Sequence, residues 1–399
     1  MRILHVIPYY YPAFKSGGPV ESVHLLNKAL VKKGINISVF TTTCGLENKS
    51  NRKTNQWINH EGVRVKYFPF YFYYNYAFSP QLFLTVLKEL KNYDLVHMTS
   101  IWSFPVLAGY TNCILFKKPY IISPRGSLYQ EAVEIKSRRL KKFYYHLIAK
   151  HYITQASGIH FTTEDEKSKI ANYVMLPEQS FIIPNGVDLD LYKRLPEKGL
   201  FVSKFPVLRN KKYVLFLGRI ARRKGVPILI EAFQELVKDY KDLFLVIAGP
   251  DEGGYLEEVK KILKSNGLLD KTLFTGLLTG QDKLSAYVDA EMFVLSSTFE
   301  NFGMSIVEAM ACGKPVVISK VGIYEQVEKR KAGIVIDPNS NSLYKGIKSL
   351  LNNPYLSSEV STNGRKLVFE KFNIDSVAEM MIEAYRNILI VSRKQIRFF

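Results

Sequence analysis

"YVLFLGRIARRKGVPILIEAFQELVKDYKDLFLVIAG", residues 213–249, decides the fold. It opens on a short apolar run, Tyr213 to Leu217, closed by Gly218. A run that is apolar at nearly every position suits a strand covered on both faces. A basic loop follows, then "VPILIEAFQELVKDY" with helical spacing, then a second apolar run, "LFLVIAG" at 243–249. Strand, loop, helix, strand is one βαβ unit, the building block of a parallel sheet flanked by helices.

The pattern continues in both directions. Downstream, "TLFTG", "MFVLSS", "PVVIS" and "GIVID" read as strands, and the chain from residue 354 onward reads mostly as helix. Upstream, "RILHVI" at 2–7, "INISVFTT" at 35–42, "DLVHMTS" at 94–100, "PYIISP" at 119–124, "GIHFTT" at 158–163 and "FIIPNGVDLDLY" at 181–192 form another series. "VESVHLLNKALVKKG" is the first helix, closed by Gly34, and Thr163 with Glu166 spells a capping box. Between the two series, "KRLPEKGLFVSKFPVLRNKK" has no clear period and reads as a linker. A chain of 399 residues is also too long for one typical core. The prediction is therefore an α/β protein of two doubly wound parallel-sheet domains, 1–190 and 213–375, with 191–212 as linker and 376–399 as a final helix. Ligands in such folds bind outside the carboxyl ends of the strands, and a cleft between two such sheets is the expected site.

Composition narrows the partners. Fifty-five Lys and Arg against 36 Asp and Glu give a formal charge of +19, spread along the chain. That balance favours phosphorylated substrates, an anionic membrane face or nucleic acid, with plain solubility as the simpler reading. No recognised nucleic-acid module is present, so nucleic acid is not expected. Cys44, Cys113 and Cys312 are few and far apart, and no H-x-x-x-H spacing occurs, which argues against a disulfide framework and a zinc site. The N-terminal apolar run is too short for a signal peptide, and no stretch approaches 18 apolar residues. A cytoplasmic protein is expected.

Candidate site residues gather at predicted strand ends. Arg219 and Lys224 follow the strand at 213–218, five residues apart. Two cations there can clamp a diphosphate, arginine bidentately and lysine as a point charge, although most basic loops are only solvated. "SGGPV", 16–20, lets Gly17 and Gly18 bring the backbone close to an anion at a helix start. It is not G-x-G-x-x-G, so a nicotinamide fingerprint is not supported, and a plain turn is the simpler reading. "SSTFENFGMSIVEAMACGKPVVIS", 296–319, carries Glu300 and Glu308 with seven residues between them. Glu308 lies one turn into a predicted helix, where a carboxylate can accept bonds from the vicinal hydroxyls of a ribose. Glu300 lies where the strand opens and can hold the hydroxyls of a second sugar. The backbone of Asn301, Phe302 and Gly303 offers N–H groups to phosphate oxygens.

"GRIARRKG", "PNGVD" and the E-x7-E of "STFENFGMSIVEAMACGKPVV" together resemble the retaining glycosyltransferases of family 4, which have the GT-B fold. The resemblance runs over nearly the whole chain and is strongest in 181–337. It implies a nucleotide-sugar donor, UDP- or GDP-linked, held mainly by the C-terminal half. Arg219 and Lys224 would clamp the diphosphate, Glu308 the ribose and Glu300 the transferred sugar. Gly17 and Gly18 would meet the diphosphate on closure, and the final helix would return to the N-terminal domain. The resemblance further implies retention of configuration and no requirement for a metal or other cofactor. Many family members carry a histidine at the end of the strand that reads "PYIISPRGS"; this chain has Arg125 there. Arginine is no general base. It is expected either to line the acceptor side or to brace the Pro-Arg-Gly turn. The acceptor would be a saccharide or a lipid-linked saccharide of a surface polysaccharide or glycolipid. The basic helix at 136–153 and the aromatic-rich 67–78 suit a peripheral protein on the cytoplasmic face of a membrane; the alternatives are an ordinary amphipathic helix of the N-terminal domain for the first and core or inter-domain packing for the second. A nucleotide-sugar epimerase or a phosphorylase on the same fold, or a non-catalytic scaffold, are the alternatives.

Overall fold

A computed structural model describes residues 1–14, 17–46, 54–72, 76–130 and 138–397. The chain forms two compact units, Met1–Gly186 with Ile374–Phe399, and Val187–Asn373.

The first unit is built on eight strands: β1 (Arg2–Val6), β2 (Asn36–Thr42), β3 (Trp57–His60), β4 (Val63–Phe68), β5 (Leu95–Thr99), β6 (Tyr120–Ser123), β7 (Gly158–Phe161) and β8 (Ser180–Ile182). Their order is β3-β4-β2-β1-β5-β6-β7-β8, and every pairing is parallel except β3 with β4. Neighbouring residues of a strand point to opposite faces. Ile3 of β1 and Ile37 of β2 therefore face a core made with the first helix and the last, through Val23, Leu26, Val377 and Met381. Leu4, Val6 and Phe40 face a second core containing Leu82, Val86, Cys113 and Tyr152. Both faces are covered, so β2 is buried from Ile37 to Thr42 rather than alternating.

The last helix, Ile374–Arg397, is tied to the sheet by a chain of polar contacts as well as by apolar ones. Tyr385 OH lies 2.7 Å from His97 Nδ1, His97 Nε2 lies 2.6 Å from Ser123 Oγ, and Ser123 Oγ lies 2.8 Å from His160 Nδ1. His160 Nε2 lies 2.8 Å from the Ile183 carbonyl, which can only accept. That end fixes every proton in the chain. His160 donates to the carbonyl, Ser123 to His160, His97 to Ser123 and Tyr385 to His97. His5 of β1 stacks on His97 at 4.6 Å and bonds to Asn27 and Thr99.

The second unit carries β9 (Lys212–Leu217), β10 (Leu243–Ala248), β11 (Thr272–Gly276), β12 (Met292–Leu295), β13 (Val316–Ser319) and β14 (Ile334–Ile336). All its pairings are parallel, in the order β11-β10-β9-β12-β13-β14. Renumbered from its first strand this is 3-2-1-4-5-6, the doubly wound order, with its switch point between β9 and β12.

Three local readings need correction. Residues 191–212 are not a linker. Tyr192, Phe201 and Leu208 are buried in the core of the second unit, and the Asp289 carboxylate accepts from the N–H groups of Gly199 (2.6 Å), Phe201 (2.9 Å) and Val202 (3.1 Å). The helices there, Asp190–Lys193 and Leu200–Lys204, are only about one turn each, too short to show a period. The chain passes between units at 186–187 and 373–374, not at 190–213 and 375–376. The capping box is only half formed. Thr163 Oγ1 accepts from Glu166 N–H at 3.1 Å, while the Glu166 carboxylate turns away to Gly126 N–H (2.6 Å) and Thr162 N–H (2.9 Å).

Candidate active site

Seven of the predicted residues come together in the second unit, around the switch point. Arg219 and Lys224 lie on the loop after β9, the latter in the tight turn Arg222–Lys224. Glu300 to Gly303 form the loop after β12, and Glu308 lies in the helix Met304–Ala311. The two loops are laced together: Ser296 Oγ donates to the Gly225 carbonyl at 2.8 Å, and Thr298 N–H donates to the Arg223 carbonyl at 3.0 Å. Gly225 is required for this closeness. Its φ is +63°, and a Cβ there would stand 2.0 Å from the Ser296 carbonyl oxygen. Gly303 starts the helix at φ +88°, where a Cβ would meet the Ile306 side chain at 2.6 Å.

Every charged member of the set already has a partner. The Lys224 ammonium pairs with the Glu300 carboxylate, and both are largely buried. Arg219 Nη1 lies 3.0 Å from Glu252 Oε2. Burial, with the nearby Arg223 charge, pulls the Arg219 guanidinium below its ordinary pKa, while Glu252 and Glu300 act against the shift. Glu308 is buried, and its Oε1 accepts from Lys283 Nζ at 2.8 Å. Its Oε2 lies 3.1 Å from Tyr287 OH, whose pKa is driven well above the usual phenol value by burial and by the Glu308 charge. Two bonds leave a carboxylate with acceptor capacity, since its oxygens carry about four lone-pair sites. Phe302 is buried against Phe372, so its contribution to a ligand is limited to its backbone.

Lys283, Tyr287, Glu252 and Arg223 were missed by sequence reasoning. Lys283 and Tyr287 are four apart on the helix Gly280–Asp289 and so share a face, but nothing in that spacing points to Glu308. Glu252 was findable, because it lies on the loop after β10, four residues past the strand, and the ends of parallel strands are where ligands bind.

The remaining predicted residues, Gly17, Gly18 and Arg125, belong to the first unit. Gly17 has φ +101° and opens the first helix, whose first residue is Gly18. Arg125 adopts φ +53° before Gly126 at φ +76°. Its Nη1 donates to Asn185 Oδ1, and its buried Nε has no hydrogen-bond partner among the described residues. Burial lowers its pKa to about 10. Among the described residues no group of three or more His, Cys, Asp and Glu side chains is placed to hold a metal ion.

Residues 201–367 match the glycosyl transferases group 1 family, and residues 16–191 match glycosyltransferase family 4. The chain belongs to the group 1 glycosyltransferases. It is an enzyme of the transferase class, with the GT-B fold of two parallel-sheet α/β domains. It is 24% identical over 390 residues to an uncharacterised glycosyltransferase of Methanocaldococcus jannaschii, covering 96% of this chain and 97% of that one. It is 25% identical to the alpha-monoglucosyldiacylglycerol synthase of Streptococcus pneumoniae, over 79% of this chain and 70% of that protein. Among solved structures, sucrose-phosphate synthase of Thermosynechococcus elongatus matches with a TM-score of 0.79 at 21% identity, over 98% of this chain and 100% of that one. Anabaena HepE in complex with UDP-glucose matches with a TM-score of 0.77 at 19% identity, over 97% and 100%.

Proposed function

We propose that this group 1 glycosyltransferase moves a hexose from a UDP- or GDP-linked donor to a saccharide or lipid-linked acceptor, with retention of configuration and without a divalent metal. The observation that carries the reading is the meeting of Arg219, Lys224, Glu300 and Glu308 at one switch point. As the glycosidic bond breaks, negative charge collects on the leaving diphosphate. Arg219 and Lys224 offer two fixed positive charges to it, in the place a metal ion would otherwise take. Glu308, oriented by Lys283 and Tyr287, has acceptor capacity for the ribose hydroxyls. Glu300 exchanges its ion pair with Lys224 for contacts to the transferred sugar. Arg125 is assigned to the acceptor side, in the first unit with Gly17 and Gly18. The lipid synthase among the relatives and the UDP-glucose bound by HepE support the classes of acceptor and donor.

Calorimetry with UDP, GDP, ADP and their sugars, in the absence of metal, tests the donor site. One nucleotide is expected to bind tightly and to lose about tenfold or more in affinity in Glu308→Ala. No binding by any of them would sink the donor site and favour a scaffold.

The reading includes an anionic membrane surface as the second partner. Among the described residues no helix is long and apolar enough to cross a membrane. The helical stretch 138–154 instead exposes Leu140, Phe143 and Leu147 at 67%, 64% and 56%. Arg139, Lys142, His146 and Lys150 are exposed beside them, and residues 138–163 contain no Asp or Glu. An apolar row with Arg139, Lys142 and Lys150 exposed beside it complements an anionic lipid surface. Replacing all three apolar residues by serine is expected to weaken binding to phosphatidylglycerol-containing vesicles about tenfold or more. Equal binding to phosphatidylcholine vesicles, or a self-associating wild type that the substitutions make monomeric, would assign the face elsewhere.

A further inference from the structure

Glu252 joins two guanidinium groups, and only one of them belongs to the predicted clamp. Arg219 Nη1 stands 3.0 Å from Oε2. Arg223 grips the same carboxylate as a fork, Nη1 to Oε1 at 3.0 Å and Nη2 to Oε2 at 3.2 Å. The backbone fixes this triad. Glu252 N–H donates to the Ile220 carbonyl at 3.1 Å, Ile220 N–H to the Pro250 carbonyl at 2.9 Å, and the Arg223 carbonyl accepts from Thr298. Arg222, next in sequence, takes no part. Its Nη1 donates to Glu258 at 2.9 Å, and its guanidinium lies 4.9 Å from the Tyr255 ring centre.

We propose that Arg223 and Glu252 are positioning residues of the donor site: Glu252 holds Arg219 ready while no diphosphate is bound and yields it when one arrives, because Arg223 keeps the carboxylate paired. The proposal rests on the reading that Arg219 binds the donor diphosphate. Arg219 and Glu252 each keep about a third of their side-chain surface exposed, so neither is fully solvated and each gains from a charged partner, by less than in a core. When Arg219 turns to phosphate oxygens, Glu252 retains the bidentate arrangement that is the stronger form of the contact. The exchange then trades one charge-assisted contact of Arg219 for another. Without Arg223 the carboxylate loses its fork, holds Arg219 more tightly and competes with the diphosphate. Without the carboxylate, Arg219 has no internal competitor.

The test is a cycle of Arg223→Met, Glu252→Gln and the double variant, with UDP and GDP binding read by calorimetry without added metal and folding checked by thermal melting. Arg223→Met is expected to weaken nucleotide binding about tenfold, and Glu252→Gln to tighten it by about threefold. The deciding result is the double variant. In the Glu252→Gln background, Arg223→Met is expected to have no further effect, because it acts only through the carboxylate. The same weakening in both backgrounds would make Arg223 a direct ligand and overturn the proposal, as would undiminished binding in Arg223→Met alone. Arg219→Ala separates the two levels. If it binds every nucleotide as the wild type does, the donor reading has failed; if it alone weakens binding, only the positioning role has.

Discussion

Lys224→Met is expected to lower kcat about a hundredfold or more, with a smaller change in donor KM. The methionine keeps most of the lysine stem while the charge is lost. A fixed donor aimed at charge that develops in the transition state is worth roughly 3 kcal/mol, or about a hundredfold in rate. On the donor-site reading proposed above the ground state loses less, since a bound diphosphate would keep Arg219 and the helix start at Met304. The Lys224–Glu300 pair adds a second consequence. Glu300 would be left largely buried without its cation, and breaking one side of such a pair costs stability. Lys224→Met/Glu300→Gln should therefore melt higher than Lys224→Met and still be slow. Steady-state kinetics with the donor found by calorimetry decide the matter. A rise in KM with kcat unchanged would show that Lys224 binds ground and transition states alike, and that leaving-group stabilisation comes from elsewhere.

What the sequence disclosed follows from which residues are buried alone and which are buried in pairs. The central parallel strands were legible because their residues are apolar on both faces. The antiparallel edge was not. In "WINHEGVRVKYF", 57–68, Arg64 stacks over the Trp57 ring at 4.4 Å, and Lys66 lies 4.5 Å from the same ring while bonding to Glu89 at 2.6 Å. Those cations break the apolar pattern that would have marked β4. The site follows the same division. Glu300, Glu308, Arg219 and Lys224 were found from motif spacing and from the rule that places ligands at strand ends. Their partners were not, because Lys283 reaches Glu308 from 25 residues away and Glu252 reaches Arg219 from 33 residues away, across separate loops. Arg125 was picked out as a departure from a family pattern. The three histidines beside it were not picked out at all. His5, His97 and His160 are spread over 155 residues, and only the strand order β1-β5-β6-β7 brings them to one face.

Those histidines are expected to make stability depend on pH. Burial holds His5 down to about 3 and keeps His97 and His160 well below the ordinary histidine value, and the Arg125 charge pushes all three the same way. Each therefore stays neutral in the folded protein and titrates near 6.5 once unfolded. Below that value the unfolded chain binds protons that the folded chain refuses, so stability is complete above about pH 6.5 and falls as pH falls. The proton order drawn from the Ile183 carbonyl gives the physical reason. A proton added to His97 or His160 would turn an accepting nitrogen into a donor facing a hydroxyl that already donates. Between pH 7 and 5.5 each histidine that stays neutral in the fold removes roughly 1 kcal/mol, so the three together remove a few. His24, also lowered by burial although its Glu61 contact opposes the shift, adds to the loss. Glu166, raised by burial, acts against it, because it takes up a proton more readily in the folded state. Denaturant melts at pH 7 and 5.5 measure the sum. His5→Asn isolates one member: whatever it costs at pH 7, it should remove roughly 1 kcal/mol of the difference between the two pH values, because asparagine cannot charge. A variant with the full wild-type dependence would mean that His5 is protonated in the folded state.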